Sequence, residues 1–436
     1  ADNRPHGARG EPAVSHFSIV CRNCGKVLPQ VYCAFCEHCM GSLLVTRYKE
    51  ARFREGDRGR GVWRFNWLPV HSPRGIPQSG PVVYRSEGLA RRLGLRELWV
   101  AFNGYWPERG ALIETCTFKE FEAAVVLANA RENGVAGLTV ASAGNTARAF
   151  AHLSQKTGYP VTIVVPSMCL QDMWYLETSS LVPTMVIEDG DYSDAIDVAR
   201  RFSLISGMPF EGGVKNVAKR DGLGIVMLEA VSAMGRMPGH YVQAVGSGAG
   251  AIAAWEMSER FLRDGRFDGR LPRLHLAQNL PFAPMSKAWQ RGNREMDPAD
   301  LEASLIACIS TRVLSSRYPA YGVRGGVYDA LTATGGNMYA VTNEEMAEAR
   351  DLFEECEEVD IVPAAAVAVA ALGKAVTQGA MGDGEPVLLN ITGGGEKRLK
   401  EQKKTYAVGG ERISKDISDA GIEELLCGAL KRNSSR

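Results

Sequence analysis

The sequence predicts an α/β protein with two open parallel-sheet domains and a cysteine-rich ribbon near its N-terminal side. Three observations carry this expectation. Between residues 120 and 210, helix-like and strand-like runs alternate, as in a small α/β domain. The runs VTIVVP at 161–166 and PVLLNI at 386–391 are continuously apolar, as strands of a parallel sheet covered on both faces must be. Five of the 10 cysteines crowd into residues 21–39, which sets off a separate module.

A chain of 436 residues has room for two or three domains. Lysine plus arginine equals aspartate plus glutamate at 50 each, so no charge excess draws the chain to nucleic acid or an anionic membrane. No apolar run is long enough to span a bilayer, and the first residues lack a signal-peptide core. A cytoplasmic location is expected. The other five cysteines are too scattered for a secreted disulfide scaffold.

Taken in order, residues 1–50 form the cysteine module with an N-terminal arm. Cys21 and Cys24 stand one C-x2-C step apart, and Cys33, Cys36 and Cys39 follow. Two such steps across a turn-rich stretch match a small zinc ribbon, in which four thiolates close a tetrahedron around one structural ion. Cys21 and Cys24 form one pair, and the other is Cys36 with Cys39 or Cys33 with Cys36. With so little apolar content, bound metal would supply folding energy. The alternative is a ribbon that keeps its cysteines and holds no metal. Residues 51–80 read as an irregular connector rich in Arg, Gly and Pro, laid over the body through Trp63 and Trp67.

Residues 51–117 and 221–436 are assigned to a large domain and 118–220 to a small one. LWVAF at 98–102 is a strand, and a Gly- and Pro-rich loop follows it. Lys119 sits where a loop turns into a helix over 120–130. GLTVA at 137–141 is strand-like, and Ser142-Ala143-Gly144-Asn145-Thr146 turns it into the next helix. Such a turn leaves backbone N–H groups free at a helix N-terminus, a seat for a carboxylate. Ser142, Gly144 and Thr146 are assigned to it.

A helix is expected near 193–203, then a Gly-Gly step and Lys215, Lys219, Arg220 and Asp221. Lys219 and Arg220 are the candidate cationic partners of a phosphorylated substrate. YVQAV at 241–245 is a strand, followed by Gly246-Ser247-Gly248-Ala249-Gly250 and a helix over 251–263. Strand, glycine turn and helix make a phosphate seat from convergent N–H groups. Its spacing is not the dinucleotide form, and no acidic ribose partner follows, so a nicotinamide cofactor ranks low. Residues 278–340 give no clear pattern. Thr342 and Glu345 form a capping box, AAAVAVAALGK at 364–374 is a small-residue helix, and 386–391 is the last buried strand, with Thr392 and three glycines at its end. The tail after residue 400 is expected to dock through Ile422, Leu425 and Leu426.

The Lys119 stretch, Ser142–Thr146, the 246–250 turn and Thr392–Gly395 together resemble the fold-type II pyridoxal-phosphate enzymes, the tryptophan synthase β and threonine synthase superfamily. The resemblance spans roughly residues 80–400. Within it, Gly104-Tyr105-Trp106-Pro107, the run from Ser142 to His152 and Gly212-Gly213-Val214-Lys215-Asn216 are most similar to the cysteate synthases. The resemblance implies that Lys119 bonds to pyridoxal 5′-phosphate and then serves as base at the substrate Cα. It implies that Gly246, Ser247, Gly248, Ala249 and Gly250 cup the phosphate, that Asn145 meets the ring 3′-oxygen, and that Thr392 faces the ring nitrogen. A neutral hydroxyl there does not force that nitrogen to stay protonated, which suits β-elimination and replacement.

The reaction so implied is conversion of O-phospho-L-serine and sulfite to L-cysteate and phosphate, by a homodimer acting on small anionic substrates. Threonine synthase chemistry on O-phosphohomoserine and phosphoserine replacement with another nucleophile are the enzyme alternatives. A non-catalytic binding module is the alternative of another class, disfavoured by Lys119, Asn145 and the complete glycine turn.

Overall fold

The structure, a computed structural model, describes residues 15–434 apart from 29–34, 57–60, 74, 77–78, 178–181, 268 and 382–383, and side chains only as far as residue 426. Three short strands come first: β1 (Phe17–Cys21), β2 (Val27–Leu28) and β3 (Leu44–Tyr48). Next are β4 (Val82–Ser86), β5 (Leu98–Phe102), α1 (Lys119–Glu132), β6 (Leu138–Ala141), α2 (Asn145–Thr157), β7 (Val161–Pro166), β8 (Thr184–Glu188) and α3 (Tyr192–Ser206). Then come α4 (Val217–Leu223), β9 (His240–Ala244), α5 (Ala249–Asp264), β10 (Arg273–Asn279), β11 (Asn337–Val341), α6 (Pro363–Thr377) and β12 (Val387–Ile391). The tail adds β13 (Glu411–Ser414) and α7 (Asp419–Ser434).

Two open sheets result. The larger has the order β11-β10-β9-β12-β5-β4 and is parallel except for β4 at its edge. The smaller, β13-β8-β7-β6, is parallel throughout. The expected small domain, 118–220, contains β6, β7 and β8, but β13 comes from the tail. That edge strand is held by its ladder to β8, and α7 packs on α3 with Ile422 fully buried.

The strands are apolar along their whole length because helices cover both faces: every residue of β7, β9 and β12 is buried. The helix of small residues, α6, lies against β9, β10 and β12, where alanines permit close approach. β11 escaped the sequence reading. NMYAV is short and bounded by no strong alternation, and its place comes from pairing with β10.

The ribbon β2-β1-β3 is antiparallel and rides on α4 and α5. Thr46 and Tyr48 donate their hydroxyls to Asp221, at 2.6 and 2.7 Å, and Arg260 meets the same carboxylate at 2.7 Å. Trp67 is buried against Phe53 and Phe261, so the connector covers the body as expected.

Candidate active site

The C-terminal ends of β6, β9 and β12 bring the motif residues to one cavity, as the crevice rule for open parallel sheets requires. It has a volume of ≈ 90 Å³, and Lys119, Asn145, the 246–250 turn and Thr392 all line it. Each part is placed by its own local chemistry.

Lys119 is the first residue of α1. The loop before it is tied to the end of β12, because the Phe118 N–H donates to the Thr392 carbonyl at 3.0 Å. Buried Glu120 accepts from the Thr115 N–H and hydroxyl at 3.0 and 2.8 Å, which fixes the turn. The three glycines after Thr392 serve backbone contacts. A Cβ at Gly393, Gly394 or Gly395 would strike the carbonyl of Cys116, Asp360 or Tyr105 respectively. The triple glycine therefore lets the end of β12 press against the lysine loop at Cys116 and against the backbone at Asp360 and Tyr105.

The lysine side chain is half-buried, 17% exposed, in the cavity wall. Its Nζ donates to Glu122 Oε2 at 2.7 Å, three residues on along α1. The second oxygen of Glu122 takes Lys219 Nζ at 2.6 Å, and Glu211 lies 3.1 Å from that same ammonium. Burial lowers the Lys119 pKa, and Lys219 adds to this against the opposing charge of Glu122. Burial also works against ionised Glu122, yet Lys119 and Lys219 hold its carboxyl below the usual range. Lys219 stays well above the ordinary lysine value, because Glu122 and Glu211 outweigh its burial.

At the end of β6, Gly144 adopts φ 145°, a conformation closed to other residues, and α2 starts at Asn145. Ser142 is buried and its oxygen accepts the N–H groups of Gly144 and Ala147, at 3.0 and 2.9 Å. It shapes the turn from within. Thr146 directs its hydroxyl to Glu122 at 3.3 Å. Asn145 Oδ1 accepts from Arg148 at 3.0 Å, so its amide NH₂ is the end left for a partner.

The turn after β9 has room only for glycine at its approaches. Gly248 has φ 84°, and a Cβ on it would come within 2.4 Å of Val327. A Cβ on Gly250 would meet the Gln243 side chain at 2.5 Å. Bare backbone N–H groups ahead of α5 suit a phosphate. With a half-buried lysine amine and a neutral threonine hydroxyl in the same cavity, the residues present fit pyridoxal phosphate.

Two sequence assignments change. Arg220 is fully buried and turned away from the cavity: its Nε meets Glu256 at 3.1 Å, and its other nitrogens donate to the carbonyls of Val214 and Leu44. Wedged between the ribbon and α5, its charge is already satisfied. Lys219 does line the cavity, but Glu122 and Glu211 take its ammonium. Sequence reasoning missed Glu122, Tyr192 and Arg148. The Lys-x-x-Glu spacing, which puts both side chains on one helix face, was the available signal for Glu122.

A larger cavity of ≈ 570 Å³ adjoins the first and shares Gly144, Asn145 and Ala364 with it. Arg148, Arg312, Arg350, Lys397 and Lys400 line this outer space. Arg148 is buried, stacked 4.2 Å from Trp174 and paired with Glu396 at 3.0 Å. Arg312 meets Asp172 at 3.5 Å.

Away from these cavities, the sulfur atoms of Cys21, Cys24, Cys36 and Cys39 all lie within 4.8 Å of one another. Cys21 and Cys39 are 3.3 Å apart, and Cys24 and Cys36 are 3.6 Å apart. Tetrahedral thiolates around one zinc stand about 3.8 Å apart, from a Zn–S bond of about 2.3 Å. The cluster pairs Cys36 with Cys39 as the second step. Cys33 lies outside the described residues.

The family model described as "Pyridoxal-phosphate dependent enzyme" matches residues 82–393. A protein from Methanoculleus marisnigri named cysteate synthase is 48% identical over 416 residues, 93% of this chain and 96% of that one. One of the same name from Methanosarcina acetivorans is 46% identical over 419 residues, 94% of this chain and 100% of that one. Among solved structures, a pyridoxal 5′-phosphate-dependent aspartate racemase aligns with a TM-score of 0.55 at 17% identity, over 72% of this chain and 90% of that one. Maize serine racemase aligns with a TM-score of 0.54 at 15% identity, over 74% and 91% of the two chains. These structures share the fold.

Proposed function

We propose, from the premise that this chain belongs to the pyridoxal-phosphate-dependent enzyme family, that it converts O-phospho-L-serine and sulfite to L-cysteate and phosphate. The observation that carries the reading is the cavity itself, where a half-buried lysine amine, a glycine turn ahead of a helix and a neutral hydroxyl converge. The relatives named cysteate synthase, at 46–48% identity over nearly their whole length, support the choice of reaction.

Pyridoxal phosphate, when bound, supplies an electron sink for the substrate Cα. The chain's own residues do the rest. The N–H groups of the 246–250 turn would hold the cofactor phosphate, the Asn145 amide would serve the ring oxygen, and Thr392 would offer an uncharged hydroxyl to the ring nitrogen. Lys119 would take the proton from Cα, with the Phe118 ring 4.8 Å from its nitrogen in the cavity wall. The start of α2 receives the substrate carboxylate. With Arg220 turned away and Lys219 held by two glutamates, the leaving phosphate and incoming sulfite fall to Arg148 and Arg312 of the outer cavity, each of which has one acidic partner and keeps a buried Nε without a hydrogen bond. In the net replacement the Cβ–O bond to phosphate breaks and a Cβ–S bond to sulfite forms.

Structural zinc on Cys21, Cys24, Cys36 and Cys39 belongs to the same proposal, supported by their mutual distances. So does a homodimer, carried over from the family resemblance. No described helix is long and apolar enough to cross a membrane. A cytoplasmic location is carried over from the sequence reading.

The test is product analysis with O-phospho-L-serine, with and without sulfite, beside O-phosphohomoserine with water. Sulfite-dependent formation of L-cysteate is expected. Threonine from phosphohomoserine, or phosphate release without cysteate, overturns the assignment. Lys119→Ala should abolish both turnover and the visible absorbance of bound cofactor. A retained visible band would reject Lys119 as the attachment point.

A further inference from the structure

We propose that Glu122 is a positioning residue of this site: its carboxylate, shared between Lys119 and Lys219, holds the Lys119 nitrogen in the cavity and stabilises positive charge on it once it is bonded to the cofactor. The proposal rests on the functional reading above.

The carboxylate is entirely buried, and both its oxygens are committed. Oε2 takes Lys119 at 2.7 Å, and Oε1 takes Lys219 at 2.6 Å and the Thr146 hydroxyl at 3.3 Å. A carboxylate this deep does little for core stability, since an apolar residue of like volume packs as well without losing hydration. Its value lies in what it does to the neighbouring nitrogen. Lys119 and Glu122 share one face of α1, so the helix itself fixes the distance between them.

The charged groups around this nitrogen come from more than one element. Glu122 on α1, Lys219 on α4 and Glu211 just before α4 act on it directly, while Thr146 on α2 meets Glu122 and Tyr192 on α3 acts on Lys219. Two lysines and two glutamates balance in this water-poor space. Bonding to the cofactor leaves Glu122 in place, and Lys219 then limits how strongly that carboxylate favours a positive nitrogen. The two neighbours thus act on Lys119 with opposite signs: neutralising Glu122 makes a positive nitrogen costlier, and neutralising Lys219 makes it cheaper.

The experiment is an absorbance titration against pH of protein reconstituted with pyridoxal phosphate, comparing wild type, Glu122→Gln, Glu122→Asp and Lys219→Gln. The visible band reports whether the nitrogen bonded to the cofactor carries its proton. The midpoint should fall by roughly one to three pH units in Glu122→Gln, the range for losing one opposite charge at this distance. It should rise in Lys219→Gln and lie between wild type and Gln in Glu122→Asp. A purely structural role would move both neutralised variants in the same direction or leave both unchanged, and either result overturns the proposal. Should Glu122→Gln not fold, the sign of the shift in Lys219→Gln decides: upward supports the proposal, downward or none overturns it. A wild-type protein that never develops the band overturns the parent reading. A normal wild-type band with equal midpoints in all variants overturns this proposal alone.

Discussion

Replacing Gly248 with alanine tests the phosphate turn at its tightest point. Gly248 has φ 84°, where an L side chain costs about 1–2 kcal/mol. The added Cβ also comes within 2.4 Å of Val327 Cγ2. Val327 is fully buried and β-branched, so it has no other rotamer to retreat to, and overpacking of this kind costs about 1–3 kcal/mol. The sum is about 2–5 kcal/mol. The chain can relieve it only by moving the turn off Val327, which carries the N–H groups away from the phosphate. At about 1.4 kcal/mol per tenfold, pyridoxal phosphate should bind roughly 30-fold to a few thousand-fold more weakly. The assay is an equilibrium titration of apoprotein with pyridoxal phosphate, followed by absorbance. Adding Val327→Ala to the variant removes the contact but not the backbone strain, so roughly 5- to 150-fold of the affinity should return. Unchanged affinity in Gly248→Ala, or no recovery in the double variant, would refute the placement of the turn against Val327.

Three further outcomes follow from the packing. Asp221→Ala strands Arg260 in the interface between ribbon and body and should destabilise by about 3–5 kcal/mol, whereas Tyr48→Phe should cost about 1 kcal/mol. Equal urea midpoints for wild type and Asp221→Ala would contradict the buried network. Burial, together with neighbouring His240, presses His275 down to about 3. The unfolded chain takes up that proton below about pH 6.5, so the contribution of His275 to stability is complete above that pH and is lost as pH falls toward 3. Urea unfolding between pH 7 and 4 should show this slope weakened in His275→Gln, and parallel curves would reject it. Purified protein should carry about one zinc per chain, kept in Cys33→Ser and lost in Cys36→Ser, as four ligands to one ion require. Equal metal content in both variants would reject the four-cysteine assignment.

Most of the fold was legible because parallel strands covered on both faces must be apolar throughout. VTIVVP and PVLLNI are therefore hard to read as anything else. The glycine turns were legible too, since backbone conformation and close approach exclude other residues there. β11 and β13 were not, because short edge strands owe their place to a partner far off in sequence. The site divides in the same way. Lys119, Asn145, the 246–250 turn and Thr392 stand in local motifs, and the structure gathers them around one cavity. Arg220 sits in an equally suggestive motif, and its orientation was invisible because Glu256 and the Leu44 carbonyl of the ribbon, which claim it, are distant in the chain.

By itself, then, the order of residues determined where strands end, where backbone must stay bare, and which lysine opens a helix. These are short-range consequences of sterics and hydrogen bonding. Tertiary structure alone decided which charges neutralise one another between elements: Glu122 with Lys219, Arg220 with Glu256, Asp221 with Arg260. The partnership of a buried ion depends on distance and burial, and only the folded chain sets those.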